Sequence, residues 1–274
     1  MSVIINSETV KRWLADRDPF EAVKSIQGKV VRSKEGRTTQ RFEIEGKGFY
    51  AKLHEGVGWK EVIKNLVQLR LPVVGARNEW EAIALIQSLG LKTLDAVAYG
   101  KKGLNPAAQT SFLITRELTE TYSLAQYCEP WLDQAPHPSH KRKIIDRVAY
   151  IARTIHENGI NHRDLYLCHF LLDQSEEKHP QNPDFFLVDL HRAQIRSQVP
   201  ERWLVKDVAS IYFSAMDIGL TRRDVFRFIK VYTGLPLRQA LQQRQDFWQK
   251  VQARARQLYI RDWKREPNDL FAKQ

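Results

Sequence analysis

The sequence predicts a bilobal α+β fold: a small five-stranded antiparallel sheet with one main helix, followed by a larger, mostly helical lobe. Three observations predict it. Short β-type runs punctuated by glycine extend from Gly28 to Leu53, helical spacing takes over from Ser123 onward, and a short connector at Glu117 to Thr121 separates the two regimes. The lobes are expected at residues 1–118 and 119–274.

Element by element, Ser7 followed by Glu8 and the spacing Val10, Trp13, Leu14 predicts a short capped helix flanking the first lobe. Val30 and Val31, Phe42 and Ile44, and Phe49, Tyr50 and Leu53, separated by Gly36, Gly46 and Gly48, predict three antiparallel strands joined by hairpins. Helical spacing follows at Val62 to Leu71 and again at Asn78 to Leu89, where Gly90 supplies the stop. Thr93 to Gly100 and Thr110 to Arg116 complete the five strands. In the second lobe, helices are expected at Ser123 to Leu132, His140 to Asn158, Glu201 to Ile218, Thr221 to Thr233 and Pro236 to about Lys264. Thr221 and Asp224 have capping-box spacing. One island of strand character lies among these helices, at Phe170 to Leu172 and Phe185 to Val188.

Composition narrows the class. With 274 residues, 43% hydrophobic, the chain can bury a core of ordinary density. It has no run approaching the roughly 18–20 apolar residues that span a bilayer, and Met1 to Trp13 has no apolar signal core. Two cysteines, Cys128 and Cys168, are too few for a disulfide framework and match no zinc spacing, so a reduced, cytoplasmic setting is expected. The net charge of +11 attracts phosphate-rich substrates, anionic membranes, acidic proteins or nucleic acid without choosing among them.

The most specific motif is the run from Asn161 to Leu172, NHRDLYLCHFLL, set between a helix and a short strand. It matches the catalytic loop of kinases, in which an aspartate orients the acceptor hydroxyl, a neighbouring histidine and arginine fix the loop, and the residue five places on binds metal. Asp164, Arg163 and His162 fill the first roles. His169 stands where protein kinases carry asparagine, and imidazole is a poorer Mg²⁺ ligand than an oxygen donor, so its role is open between metal, phosphate and loop. Alone, a His-Arg-Asp triplet reads equally well as a surface salt-bridge cluster; the following strand, Phe185 to Asp189, favours the catalytic reading. It ends in a carboxylate suited to Mg²⁺ on the ATP phosphates.

Upstream, Phe49-Tyr50-Ala51-Lys52 places a lysine near the end of a strand, and Glu79, four and seven positions before Ile83 and Ile86, lies on the core-facing stripe of its helix. The two are expected to pair, with Lys52 on the α and β phosphates. Ser33 to Thr39 would cover the phosphates through Gly36 and Arg37, although an ordinary hairpin turn fits as well, and Glu117 and Leu118 would offer backbone hydrogen bonds to adenine. Asp207 resembles the buried residue that braces a kinase catalytic loop. Only eighteen positions separate it from Asp189, too few for a long activation loop and a peptide-docking platform, so a small or glycan acceptor is favoured.

Taken together, Arg41-Phe42, Phe49 to Lys52, Gly56-Val57-Gly58-Trp59, Leu71-Pro72-Val73, Asn78-Glu79-Trp80, His162 to Tyr166 with His169, and Asp189-Leu190-His191 resemble the lipopolysaccharide core heptose(I) kinases of Gram-negative bacteria, of the protein-kinase-like superfamily. The resemblance runs from about Arg41 to Ser214. It implies an ATP- and Mg²⁺-dependent enzyme that phosphorylates O4 of the first inner-core heptose, with Asp164 as base and Lys52, Glu79 and Asp189 in the nucleotide and metal roles. It also implies a lipid-linked core glycan as partner, at the cytoplasmic face of the inner membrane. A peripheral contact with that anionic surface suits the net charge. The basic C-terminal helix is one candidate surface, and packing of its apolar stripe on its own lobe is the simpler expectation. An acidic acyl carrier protein is a further candidate partner by charge complementarity. The alternatives are a kinase-fold pseudoenzyme or scaffold, which His169 would suit, and a basic nucleic-acid-binding module. For the latter no stacking platform or recognition helix stands out, and no nucleic-acid partner is expected.

Overall fold

In a computed structural model the structure describes residues 1–34, 36–56, 58–59, 75–103, 105, 108–173 and 183–268. The helix expected at Val62 to Leu71, the Leu71-Pro72-Val73 run and Val57 lie outside them. The chain forms two compact units. The first comprises Met1–Ser88, Leu94–Thr119 and Leu190–Arg192, and the second Leu89–Thr93, Glu120–Asp189 and Ala193–Gln274. A cut between residues 118 and 119 therefore omits two short exchanges, at 89–93 and at 190–192.

The first unit contains strands β1 (Ser2–Ile5), β2 (Lys29–Lys34), β3 (Arg37–Ile44), β4 (Lys47–His54), β5 (Ala96–Lys102) and β6 (Thr110–Arg116), with helices α1 (Glu8–Leu14), α2 (Pro19–Lys24) and α3 (Arg77–Ser88). The strands form one antiparallel sheet in the order β1-β5-β6-β4-β3-β2. Among the described residues it has six strands, one more than expected. The extra one, Ser2–Ile5, pairs with β5 from Ser2↔Lys101 to Ile5↔Ala98. Four residues of an edge strand bury too little to write a period-2 pattern, so backbone pairing alone defines it.

Alternation along β4 decides what each face does. Phe49, Ala51 and Leu53 are buried with Val10, Leu14, Phe20, Phe42 and Phe112 in one core cluster. Helix α2 reaches that core by a strong start: Pro19 stands at its first turn and the Asp18 carboxylate accepts from the Phe20 and Glu21 amides at 2.9 and 3.0 Å. Its Phe20 ring then meets Phe112 edge-on at 5.1 Å. By the two-residue period, Tyr50, Lys52 and His54 belong to the other face of β4. Helix α3 packs on β5, where Trp80 stacks on Tyr99 at 5.5 Å.

The second unit contains β7 (Thr121–Ser123), α4 (Leu124–Cys128), α5 (Pro138–Glu157), β8 (Ile160–Asn161), β9 (Phe170–Asp173), β10 (Phe185–Leu187), β11 (Gln194–Ile195), α6 (Glu201–Ser214), α7 (Arg222–Thr233), α8 (Leu237–Gln243) and α9 (Gln245–Trp263). The expected capping box is present: the Thr221 hydroxyl accepts from the Asp224 amide, and the Asp224 carboxylate accepts from the Thr221 amide at 2.9 Å. Gly234, at φ 66°, ends that helix. The single C-terminal helix expected from Pro236 to Lys264 is two helices broken at Arg244. No proline or glycine marks the break. It arises because Ala240 and Phe247 are both buried, and the Trp248 indole N–H takes the Ala240 carbonyl at 3.2 Å, a helix-end acceptor that would otherwise go unpaired. The apolar stripe of α9, from Phe247 through Val251, Ala255, Leu258 and Tyr259, is buried and the helix packs on α6. Trp263 remains 58% exposed among the arginines. No described helix is long and apolar enough to cross a membrane.

Candidate active site

In the first unit, the period of β4 and the stripe of α3 bring together the expected pair. The Lys52 ammonium lies 2.5 Å from Glu79 Oε1, and the Glu79 side chain is 2% exposed. Two positions on, His54 is buried beside Arg37, whose Nε is 3.5 Å from His54 Nε2. Burial, and then the positive charges of Arg37 and Lys52, push the His54 pKa down to about 3. Gly36 stands at φ 72° in the β2–β3 hairpin and its carbonyl accepts from the Glu55 amide at 2.7 Å. Glu117 is engaged on both counts: its carboxylate takes a two-point bond from Arg41 at 2.7 and 2.8 Å and one from the Tyr50 hydroxyl at 3.2 Å, and its amide donates to the Gly48 carbonyl at 3.0 Å. Gly48 leaves room for this carboxylate: a Cβ there would overlap the Glu117 side chain and push it off Arg41 and Tyr50.

In the second unit, the loop after β8 is held from below. Asp207, fully buried on α6, accepts the His162 amide at 2.6 Å and the Arg163 amide at 2.7 Å. Arg163 sits in the left-handed region at φ 77°, a conformation that costs of order 1–3 kcal/mol and that these two charge-assisted bonds over-determine. The His162 ring donates from Nε2 to the Val188 carbonyl at 2.9 Å, which ties the loop to the segment that leads from β10 to Asp189. That bond makes Nδ1 the unprotonated nitrogen, and burial lowers the pKa of the ring. Asp189 itself stands at φ 62°.

His169 is fixed by the same loop. Its Nδ1–H donates to the Asp164 carbonyl at 2.7 Å, and Nε2 faces Asp189 Oδ2 at 3.4 Å. Burial opposes charge on this ring, but Cys168, the Asp164 carbonyl and Asp189 outweigh it and raise the pKa to about 9. The Asp164 carboxylate stays 18% exposed, with the Lys206 ammonium 3.8 Å from Oδ1. Lys206 was not assigned a role from the sequence. Its one available signal is adjacency to Asp207, because a helix turn that braces the loop also delivers its neighbour to it.

A sequence profile of the Lipopolysaccharide kinase (Kdo/WaaP) family matches residues 21–232. The chain belongs to this family. It is 45% identical over 258 residues to the Lipopolysaccharide core heptose(I) kinase WaaP of Pseudomonas aeruginosa, covering 94% of this chain and 96% of that one. It is 48% identical over 242 residues to the WaaP of Escherichia coli, covering 88% and 91%. A solved structure of WaaP in complex with acyl carrier protein superposes with a TM-score of 0.83 at 40% identity, covering 94% of this chain and all of that one. As a Kdo/WaaP-family member the chain is a kinase with the mixed fold the sequence predicted.

Among the described residues no group of three or more His, Cys, Asp or Glu side chains is placed to hold a metal ion, and the nearest approach to one is the pair Asp189 and His169. His169 Nδ1–H is committed to a carbonyl, so a neutral ring turns its Nε2 lone pair toward the Asp189 carboxylate, two acceptors 3.4 Å apart. With its pKa raised to about 9 the ring carries a second proton at neutral pH, which resolves that opposition. Asp189, 32% exposed, is the oxygen ligand suited to Mg²⁺, and His169 is its neighbour.

Proposed function

We propose that the chain transfers the γ-phosphoryl group of ATP to a sugar hydroxyl, O4 of the first heptose of the lipopolysaccharide core. The observation that carries the reading is the state of Asp164. Its loop is pinned through Asp207 and His162 while its carboxylate remains accessible, as a group that must receive a hydroxyl requires. Asp164 orients the hydroxyl and takes its proton as the new ester bond forms. His162 and Arg163 hold the loop. Lys52, set by Glu79, binds the α and β phosphates. Asp189, with His169 beside it, would hold Mg²⁺, which when bound neutralises charge on the phosphate oxygens. With the Glu117 amide committed to Gly48, the adenine contact falls to neighbouring backbone groups of the connector, Leu118 among them, while Gly36 and Arg37 shape the hairpin over the phosphates.

The test is transfer of labelled phosphate from ATP to unphosphorylated core glycan, beside a protein acceptor. Asp164→Asn should reduce transfer at least 1,000-fold with an unchanged melting curve. Undiminished transfer would falsify the assignment, and labelling of the protein alone would redirect it to another acceptor.

A second partner is proposed on separate grounds. The second unit has a half-open apolar pocket of about 500 Å³ lined by Leu124, Trp131, Ile145, Val208, Ile211 and Phe228 among others. A net charge of +11 favours an acidic protein, and the solved relative was obtained with acyl carrier protein. An acyl chain from such a carrier would fill the pocket, each methylene contributing about 0.8 kcal/mol. We also propose that the chain works at the cytoplasmic face of the inner membrane, where its basic surface suits anionic lipid.

A further inference from the structure

Trp203, on the first turn of α6, has three cations around one indole. The Arg163 guanidinium lies 5.0 Å from the ring centroid, that of Arg202 5.3 Å, and the Lys206 ammonium 5.7 Å. Each is within reach of the ring's negative face, but that attraction does not cancel the repulsion among the three. Arg196 adds a fourth charge. It donates to two neutral acceptors, Asn161 Oδ1 at 2.5 Å and Gln194 Oε1 at 2.7 Å, and burial followed by the nearby charge of Arg202 pushes its pKa down. The acidic residue of the same helical turn, Glu201, is paired with Lys250 at 2.6 Å. The start of α6 has no side-chain cap, so the positive end of a fourteen-residue helix adds to the field.

This concentration of positive charge is contiguous with the catalytic carboxylate. Lys206 spans the two, 5.7 Å from the Trp203 ring and 3.8 Å from Asp164 Oδ1. Arg163 is 7% exposed and Lys206 half-buried beside Asp164, while Arg202 is the exposed cation of the cluster.

We infer that Arg202, Lys206 and Arg163 form an anion subsite that binds a carboxylate or phosphate carried by the acceptor, next to the hydroxyl that Asp164 activates. The inference rests on the sugar-kinase reading and deepens it. Guanidinium groups recognise both anions by paired N–H bonds, and the close link through Lys206 means the anion lies on the accepting sugar or on one adjoining it. An acceptor stripped of that anion would reach Asp164 with poorer orientation and lower affinity.

The experiment compares wild type, Arg202→Gln and Arg202→Lys on core glycan that lacks phosphate at the accepting heptose, in three forms: otherwise intact, carboxyl-reduced, and stripped of its remaining phosphates. On the intact glycan Arg202→Gln should raise the glycan KM roughly 10-fold or more, as loss of a charge-assisted contact does, with the ATP KM held within about twofold. Arg202→Lys should recover much of the loss. The penalty should vanish on the form that lacks the anion, which names it as carboxylate or phosphate. An unchanged glycan KM, or an equal penalty on all three forms, overturns the subsite. Lys206→Gln is the second variant and should show the same dependence on glycan form. If wild type phosphorylates none of the glycans, the sugar-kinase reading fails by itself. Equilibrium binding of the same glycans then judges the subsite: weaker binding by Arg202→Gln sustains it, and equal binding refutes it.

Discussion

Asp207 accepts the backbone amides of both His162 and Arg163, at 2.6 and 2.7 Å, from a fully buried position on α6. A buried carboxylate is stable only where its lone pairs are engaged. Oδ2, the oxygen that takes the His162 amide, is also 3.4 Å from His156 Nε2, whose other nitrogen meets the Tyr232 hydroxyl at 2.8 Å, so the bracing extends to α7.

Asp207→Asn replaces an acceptor with a donor and leaves one loop amide unpaired. Each charge-assisted bond contributes about 1.5–3 kcal/mol, so a loss of about 3 kcal/mol is expected, or roughly 6–12 °C in melting temperature. Phosphate transfer should fall well beyond that, because Arg163 would relax from its left-handed backbone. Calorimetry and steady-state kinetics on one preparation check both; activity retained alongside a lowered melting temperature would show that the brace serves stability alone.

Lys52 and Glu79 form a pair in which one partner is almost sealed from water. Removing either should cost more than removing both. Lys52→Met leaves a buried carboxylate and is expected to destabilise the protein by about 3–5 kcal/mol, while Lys52→Met with Glu79→Leu should recover a large part of that. Urea denaturation of the four-member cycle measures the coupling. Both single variants should also raise the KM for ATP.

His54 stays neutral in the fold down to about pH 3, whereas in the unfolded chain it takes a proton near pH 6.5. The unfolded state therefore binds the extra proton between these limits. The contribution of His54 is fully present above pH 6.5 and is lost progressively as pH falls toward 3, at up to about 1.4 kcal/mol per pH unit. His54→Gln should remove up to about 2 kcal/mol of the stability lost between pH 7 and pH 5, read from urea midpoints at the two values. The buried ring of His162 moves in the same direction, so some acid sensitivity should persist.

The pocket of the second unit gives a test independent of catalysis. Ala215 lines it, and Ala215→Leu adds volume where space exists. Stability should hold or rise slightly, whereas overpacking a filled core costs about 1–3 kcal/mol. Titration calorimetry with acylated and unacylated carrier protein should show the variant losing the advantage of the acyl form. An undiminished preference for the acylated carrier would place the chain elsewhere.

The strands and helices that carry the chemistry were legible because their signals are local. Phe49, Ala51 and Leu53 alternate with Lys52, Glu79 sits three and seven residues from buried Ala82 and Ile86, and the capping box at Thr221 is written within four residues. The edge strand Ser2–Ile5 and the break at Arg244 were not legible. The first depends on a partner strand more than ninety residues away, the second on Trp248 reaching back to the Ala240 carbonyl.

By itself the sequence determined the class of fold and the period of most elements, and it marked Asp164, Asp189, Lys52 and Glu79 as candidates, since hydrophobic spacing and motif order survive without contacts. Only the tertiary structure decided that Lys206 comes to Asp164, that His169 stands between Asp164 and Asp189, and that three cations share the Trp203 ring. The contacts of Lys206 with Asp164 and of Arg163 with Trp203 join the loop after β8 to α6, segments far apart along the chain. Distance and charge between such segments follow from packing, which no local pattern of residues encodes.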